Sequence, residues 1–289
     1  MDTDRGCDRA GSMKTWLAPA KLNLFLHVVG QREDGLHELQ TLFQLLDFGD
    51  LLSFELTENG SIARDGGSAL PAEDLCVRAA RALQQAGNTG LGARIQLTKR
   101  IPVGAGLGGG SSDAATVLVA LNQLWDTGLN EDDLADIGQS LGADVPLFVR
   151  GCSAWGEGIG EQLTPTKLPL RQFCVVWPDV QVSTKTIFSD PELTRNTPRI
   201  RIPGPFEGDR RNDLEPVAKR QFPEVGECLD WLGQFGAARM TGSGSAAFLA
   251  VASIRAGEEL LEQLPFRLRG FVANGINRNP VFVDEPDGV

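Results

Sequence analysis

Five glycines fall within the nine residues 104–112, in the run Pro102-Val-Gly-Ala-Gly-Leu-Gly-Gly-Gly-Ser-Ser-Asp113. A backbone without Cβ atoms curls tightly and can turn several N–H groups toward one anion. An amphipathic helix predicted from Ser111 adds its unpaired first-turn amides and the positive end of its dipole. The hydroxyls of Ser111 and Ser112 either cap that helix or donate to a phosphate or its Mg²⁺. A strand before the loop and a helix after it favour phosphate binding over a mere surface loop. Gly104, Gly106 and Gly109 also match the G-x-G-x-x-G dinucleotide pattern. That pattern requires a second parallel strand after the helix, ending in an acidic residue about 20 positions on. The helix instead ends near Trp125-Asp126 and runs into another predicted helix. Walker A fails as well, because no Lys-Ser or Lys-Thr follows the last glycine.

Three charged positions stand near apolar runs. Lys21 and Asn23 lie two apart on a predicted strand and so project from one face. A lysine there is either a guard on an edge strand or a functional cation. Asp144, in Leu141-Gly-Ala-Asp-Val-Pro-Leu-Phe148, is either the cap of the next turn or a carboxylate held for chemistry. His37, after Gly35-Leu36, is either a loop residue or a binding group. The chain has only two histidines, His27 and His37, and no tyrosine. This excludes a His-rich metal site and leaves a Ser-His-Asp triad only those two positions. Its five cysteines (Cys7, Cys76, Cys152, Cys174, Cys228) are scattered and form no C-x-x-C pair. They read as thiols of a reducing cytoplasm, not as disulfides or zinc ligands.

Several elements must position these groups. In residues 16–29, Leu22, Leu24, Leu26 and Val28 alternate with Lys21, Asn23, Phe25 and His27, the pattern of a strand with one buried face. Gly30 and the polar run through Gly35 end it. Residues 51–56 and 94–101 also read as extended, and 75–83 as helical. Ala114, Ala115, Val117, Leu118, Leu121, Leu124 and Trp125 specify the helix after the glycine loop. Asn130 is an N-cap for a second helix ending near Gly142. Residues 156–160 read as a turn, and 178–210, with Pro178, Pro191, Pro198, Pro203 and Pro205, as an irregular connector. Asn212-Asp-Leu-Glu215 fits a capping box. The predicted class is α+β with two domains, 1–155 and 156–289, the boundary falling within 150–165.

Composition excludes other classes. Of the 289 residues, 42% are hydrophobic and 22% charged, which supports a sizeable core. The net charge of −11 repels a phosphate backbone, so nucleic acid is not an expected partner. The longest apolar stretch, 246–254, is far short of the ~20 residues of a membrane span. Residues 1–14 hold three aspartates and no apolar core, so no signal peptide is expected; they read as a frayed leader, with Met13 an alternative start. A soluble cytoplasmic protein is expected.

Taken together, the motifs resemble a known family. The run from Pro102 to Ser112 is similar to the phosphate loop of the kinase superfamily named for galactokinase, homoserine kinase, mevalonate kinase and phosphomevalonate kinase. Ala18-Pro-Ala-Lys-Leu-Asn-Leu-Phe-Leu26, Asp34-Gly-Leu-His37, Leu39-Gln-Thr-Leu-Phe43, Leu141-Gly-Ala-Asp-Val-Pro146 and Met240-Thr-Gly-Ser-Gly244 stand in the order of the 4-diphosphocytidyl-2-C-methyl-D-erythritol kinase family. The resemblance spans residues 15–283. It implies a two-domain GHMP-kinase fold with the active-site cleft between the domains, ATP with Mg²⁺ bound mainly by the first domain, and transfer to a 2-hydroxyl of the methylerythritol unit in the non-mevalonate route to isoprenoid precursors. By position it implies Asp144 as catalytic base and Lys21 as its partner. Pro102, Val103, Gly104, Ala105, Gly106, Leu107, Gly108, Gly109, Gly110, Ser111 and Ser112 would meet the ATP phosphates, and Leu75 the adenine. Asn23, His37, Phe43, Thr184 and Phe188 would line the cytidyl and erythritol site. Two positions depart from the pattern: Leu36 replaces a common aromatic residue, and Asp74 a usual asparagine. The competing readings are another small-alcohol kinase of the superfamily, a nicotinamide-dependent oxidoreductase, and a non-catalytic nucleotide-binding module.

Overall fold

Strand β1 (Trp16–Gln31) turns back at Gly35 into β2 (His37–Thr57), its antiparallel partner. The alternation read from the sequence is present, but the expectation of a single buried face fails. Lys21, Asn23, Phe25 and His27 are as buried as Leu22, Leu24, Leu26 and Val28. The cause is what covers the strand: β1 runs through all three hydrophobic clusters of the molecule. Its second edge is covered too, since Lys21 N–H donates to Leu107 O (3.0 Å) and Leu26 N–H to Arg211 O (3.1 Å). The strand read over 51–56 is the far half of β2. The structure is a computed structural model that describes residues 14–67, 71, 73–201 and 211–279. Cys7, Met13, Pro203 and Pro205 lie outside the described residues.

Strand β3 (Ile62–Gly66) pairs in parallel with β4 (Gly92–Thr98), and β4 lies antiparallel on β2. Helix α1 (Leu75–Ala86), α2 (Gly109–Trp125), α3 (Glu131–Leu141) and α4 (Val145–Arg150) supply side chains to one core with β2 and β4. Helix α3 has the expected bounds, with Asn130 and Asp133 completing a capping box. Asp126 ends α2 with a left-handed φ of +52°, and α3 follows within five residues. No strand returns between them, which removes the framework a dinucleotide fold needs.

Strands β5 (Ala154–Glu157) and β6 (Gln162–Pro165) form a hairpin on β2. Gly156 therefore lies in a strand, and the turn expected over 156–160 begins at Gly158. Strand β5 runs across the expected 155/156 boundary. The second half contains β7 (Gln172–Pro178), α5 (Thr184–Phe188), α6 (Glu215–Gln221), α7 (Pro223–Gly233), β8 (Arg239–Met240), β9 (Ala247–Val251), α8 (Ile254–Leu261) and β10 (Leu268–Ile276). Helix α5 interrupts what reads as an irregular connector. Strand β10 pairs with β7 along its length and meets β2 at Gly275 and Ile276, so one sheet of order β3-β4-β2-β10-β7-β9-β8 joins the halves.

The capping box expected at Asn212 is not formed. Asn212 Nδ2 donates to Met240 O (3.0 Å) and Gly242 O (2.8 Å), and Glu215 accepts from Met240 N–H (3.0 Å). Asn212 Oδ1 does accept from Leu214 N–H (2.9 Å), as expected, but Glu215 does not reach back; its carboxylate and Asn212 Nδ2 satisfy backbone groups of β8 and the turn after it. The four described cysteines are free, and burial raises all four thiols.

Candidate active site

The loop between β4 and α2 is fixed at its base by a buried charge cluster. Asp50 on β2 accepts from the amides of Arg100 (2.5 Å) and Ile101 (2.8 Å) and pairs with the Lys99 ammonium. Lys99 also holds Asp113 on α2 at 2.8 Å. One cation thus joins β2, the loop and the helix. Burial pushes Asp113 up to about 8; Lys99 pulls it down and Asp50 adds to the rise. Burial alone would lower Lys99, but Asp113 and Asp50 together raise it. Sequence reading missed Asp50 and Lys99, because their meeting depends on the β2–β4 pairing.

Above this base the loop is shaped by its glycines. Gly104, Gly106 and Gly108 have φ of +73°, +77° and +75°, which side chains on L-residues rarely tolerate. A Cβ on Gly106 would sit 2.3 Å from Thr241 O, and one on Gly242 would sit 2.8 Å from Gly106 O. The loop is therefore seated backbone to backbone on the second glycine turn, Thr241-Gly-Ser-Gly-Ser245. Ala246 N–H donates to Ala105 O (3.1 Å), and Ala105 and Leu107 point into the core. Gly108 occupies the N-cap of α2 and no side chain caps that helix, so its first-turn amides are left without a side-chain partner where Gly109, Gly110 and Ser111 line the cleft. Neither Ser111 nor Ser112 takes the capping role considered above.

A cleft of about 1080 Å³ opens over this helix start. Every expected site residue lines it except Ser112, whose side chain is fully buried and whose hydroxyl has no hydrogen-bond partner. On its wall the Lys21 ammonium donates to Asn23 Oδ1 (2.5 Å), lies 3.5 Å from Asp144 Oδ2, and sits 5.6 Å from the centre of the Phe43 ring. Asn23 is held in turn by Thr41, whose hydroxyl donates to Phe25 O. Lys21 is 4% exposed and has cleft residues around it, so it is not an edge-strand guard. Asp144 stands before α4 without capping it, which removes its local structural reading; its side chain is a third exposed toward the cleft.

Another part of the wall carries rings. His37, the first residue of β2, lies 4.9 Å from Phe188, the last of α5, with their planes tilted by 32°. Burial and then Arg195 hold the imidazole below its ordinary value. Arg195, which sequence reading missed, donates from Nε to His37 Nε2 at 3.0 Å. The Thr184 hydroxyl meets that of Ser243 at 2.8 Å. The two departures have structural settings. Leu36 is half exposed at the cleft edge. Asp74 caps α1 through Val77 N–H and pairs with buried Arg64 at 2.8 Å, a role that suits a carboxylate better than an amide.

Similarity to known proteins agrees with this geometry. Residues 74–152 match the pattern of the GHMP kinases N terminal domain, and 205–270 that of the GHMP kinases C terminal. A 4-diphosphocytidyl-2-C-methyl-D-erythritol kinase of Thiobacillus denitrificans is 52% identical over 275 residues, covering 93% of this chain and 98% of that one. The kinase of the same name from Shewanella woodyi is 47% identical over 92% of this chain and 95% of its own. The chain belongs to the 4-diphosphocytidyl-2-C-methyl-D-erythritol kinase family. A crystal structure of 4-(cytidine 5'-diphospho)-2C-methyl-D-erythritol kinase superposes with a TM-score of 0.80 at 35% identity, covering 91% of this chain and 99% of that one. The Methanococcus jannaschii mevalonate kinase, 16% identical with a TM-score of 0.69 over 93% of this chain and all of its own, shares the fold. The chain is thus an ATP-dependent small-molecule kinase of the GHMP superfamily. No described helix is long and apolar enough to cross a membrane.

Two expected outcomes follow from this kinase's loop. Gly106→Ala combines a left-handed φ with a backbone overlap, and should lower unfolding free energy by about 2–4 kcal/mol in urea titrations. Asp113 has its pKa raised on folding, so the folded state binds the extra proton. Its contribution to stability therefore declines as pH rises from about 4 to about 8 and is constant above that. The stability gained by Asp113→Asn over the parent should grow across that window in paired melts. A gain that shrinks with rising pH would contradict it.

Proposed function

We propose that this kinase transfers the γ-phosphoryl group of ATP to the 2-hydroxyl of 4-diphosphocytidyl-2-C-methyl-D-erythritol, with Asp144 as base and Lys21 as its partner. The observation that carries the reading is the Lys21–Asp144 pair, 3.5 Å apart, on the wall of the cleft that also contains the uncapped start of α2. Phosphoryl transfer asks a protein mainly for positioning and charge stabilisation. The loop amides from Gly104 to Gly110 and the α2 dipole hold the triphosphate. Asp144 accepts the proton of the attacking hydroxyl, and the Lys21 ammonium offsets the negative charge that builds beside it. Asn23, fixed by Thr41, keeps that ammonium aimed.

Mg²⁺ fits this site as a companion of the nucleotide. No group of three or more His, Cys, Asp or Glu among the described residues is arranged to hold a metal, and Mg²⁺ usually keeps waters and phosphate oxygens as most of its ligands. The Ser111 hydroxyl, on the cleft wall at the start of α2, would be an oxygen of the chain available to the ion, which when bound would neutralise phosphate charge. Residues 1–155 supply the loop and the base, and 156–289 supply Thr184, Phe188 and the bracing glycine turn. His37, Phe43, Thr184 and Phe188 receive the cytidyl diphosphate alcohol, and Leu75, opening α1, borders the adenine. We place the enzyme in the cytoplasm, working on small molecules with no nucleic acid partner, in the non-mevalonate route to isoprenoid precursors.

Purified protein with Mg-ATP and a panel of cytidyl and non-cytidyl alcohols tests the reading. ADP release and a new phosphomonoester in ³¹P spectra are expected with the cytidyl substrate. Equal turnover of simple alcohols would overturn the assignment. Asp144→Asn should cut kcat about a hundredfold or more with nucleotide affinity nearly unchanged. His37→Ala should raise KM for the cytidyl substrate more than KM for ATP. Equal rises would remove His37 from base recognition.

A further inference from the structure

The groups that touch the substrate's base need holding, and one side chain is placed to do it. Arg195 spends its donors in four directions. Its Nε donates to His37 Nε2 at 3.0 Å, one terminal nitrogen donates to Leu193 O at 3.1 Å, and the other donates to Phe188 O at 3.0 Å and Asp190 O at 2.8 Å. The guanidinium therefore closes the segment after α5 around itself and ties it to the first residue of β2, 158 positions away in sequence. The same residue fixes both rings of the His37–Phe188 pair, one through its ring nitrogen and the other through its backbone carbonyl.

The bond to His37 has a chemical consequence. An imidazole nitrogen that accepts a hydrogen bond carries no proton, and a guanidinium cannot act as acceptor. The proton of neutral His37 must then sit on Nδ1. Burial and the adjacent guanidinium both disfavour a second proton on the ring, which keeps it in that neutral form. We propose that Arg195 is a positioning residue for substrate selection: it locks His37 as the Nδ1–H tautomer and seats Phe188 against it, so that the cleft offers a hydrogen-bond donor to the substrate's base. Such a donor suits a base edge with an unprotonated nitrogen. Cytosine presents one at N3, whereas uracil presents N3–H, a donor facing a donor. Arg195 thereby favours a cytidyl over a uridyl diphosphate alcohol. The tautomer part stands on the structure alone, and the selection part rests on the reading that His37 meets the base.

The chain's two histidines make the tautomer directly measurable. Long-range ¹H–¹⁵N spectra of the free protein, with the His27 signals assigned through His27→Gln, should show His37 protonated at Nδ1. In Arg195→Gln that pattern should shift toward Nε2–H or a mixture. An unchanged pattern in a folded Arg195→Gln protein, or Nε2–H in the parent, overturns the lock whether or not the substrate reading holds. Kinetics test selection separately. Arg195→Gln should raise KM for the cytidyl substrate about tenfold, with KM for ATP within twofold, and narrow the preference over the uridyl analogue. Because Arg195 also holds backbone, a cycle with His37→Asn separates positioning from general support. The asparagine has no tautomer to lock, so adding Arg195→Gln to it should cost less than half, on a logarithmic scale, of what it costs in the parent. An equal cost in both backgrounds would make Arg195 a structural residue only. Failure of the cytidyl alcohol to react at all would sink the substrate reading and the selection step, while the spectra still decide the tautomer.

Discussion

A lysine ammonium taken almost wholly out of water is the constraint around which this molecule is organised. Removing such a charge from solvent costs several kcal/mol unless partners surround it. Lys21 has Asn23 Oδ1, Asp144 and the face of Phe43. Those partners come from β1 itself, from the residue before α4 and from β2, so three chain segments must meet at one point. A one-residue slip of β1 would send Lys21 into the opposite face and strand the charge. Bonds on both edges of β1 oppose that slip, with β2 on one side and Leu107, Thr241 and Arg211 on the other. The glycine loop and the glycine turn are thus among the groups that pin the strand, so the register of Lys21 and the shape of the glycine loop are set in part by the same contacts.

The cradle illustrates why two glycine-rich segments are needed rather than one. A loop with three left-handed glycines has little intrinsic preference for a single shape and loses much entropy on ordering. The turn at 241–245 supplies the missing definition by approaching so closely that neither Gly106 nor Gly242 has room for a side chain. Asn212 and Glu215 then hold that turn and β8. From the other side, Asp50 takes two amides at the loop's base, and Lys99 couples it to α2. The glycine loop is consequently held in place by distant parts of the chain, not by the local run that marks it in the sequence.

That division explains what could be read from sequence and what could not. Local signals were legible: the glycine run, the Asn130 N-cap, the period of α2, the alternation of β1. Lys21, Asp144 and His37 became legible as site residues only through the resemblance, since on local grounds Lys21 and His37 had an even-handed structural alternative and the capping alternative for Asp144 was slightly favoured. Features set by long-range pairing were misread or missed. The extended stretch read over 51–56 leaves out the first part of β2, where residues 40–46 are buried without a break and so lack the alternation that marks half-buried strands. Asn212-Asp-Leu-Glu215 has the spacing of a capping box, yet only Asn212 Oδ1 serves the following turn, while Asn212 Nδ2 and the Glu215 carboxylate serve the backbone of β8 and the glycine turn. Asp50, Lys99 and Arg195 carry no motif, and their roles exist only once β2, α2 and the segment after α5 are neighbours.

The charge of the chain also bears on how such a cleft works. With a net charge of −11, the protein as a whole repels the two polyanionic substrates proposed for it. Attraction must therefore act at short range, from oriented amides at the start of α2 and from Lys21, and must outweigh a wider unfavourable field. This arrangement places selectivity in geometry. A phosphate that does not reach the loop amides gains nothing from the surrounding surface, so indiscriminate binding of anions is suppressed. The near neutrality of the groups beneath the loop serves the same end. Asp50 and Asp113 share the Lys99 ammonium, and burial holds Asp113 toward its protonated form, so the base of the glycine loop carries less negative charge than its residue types suggest.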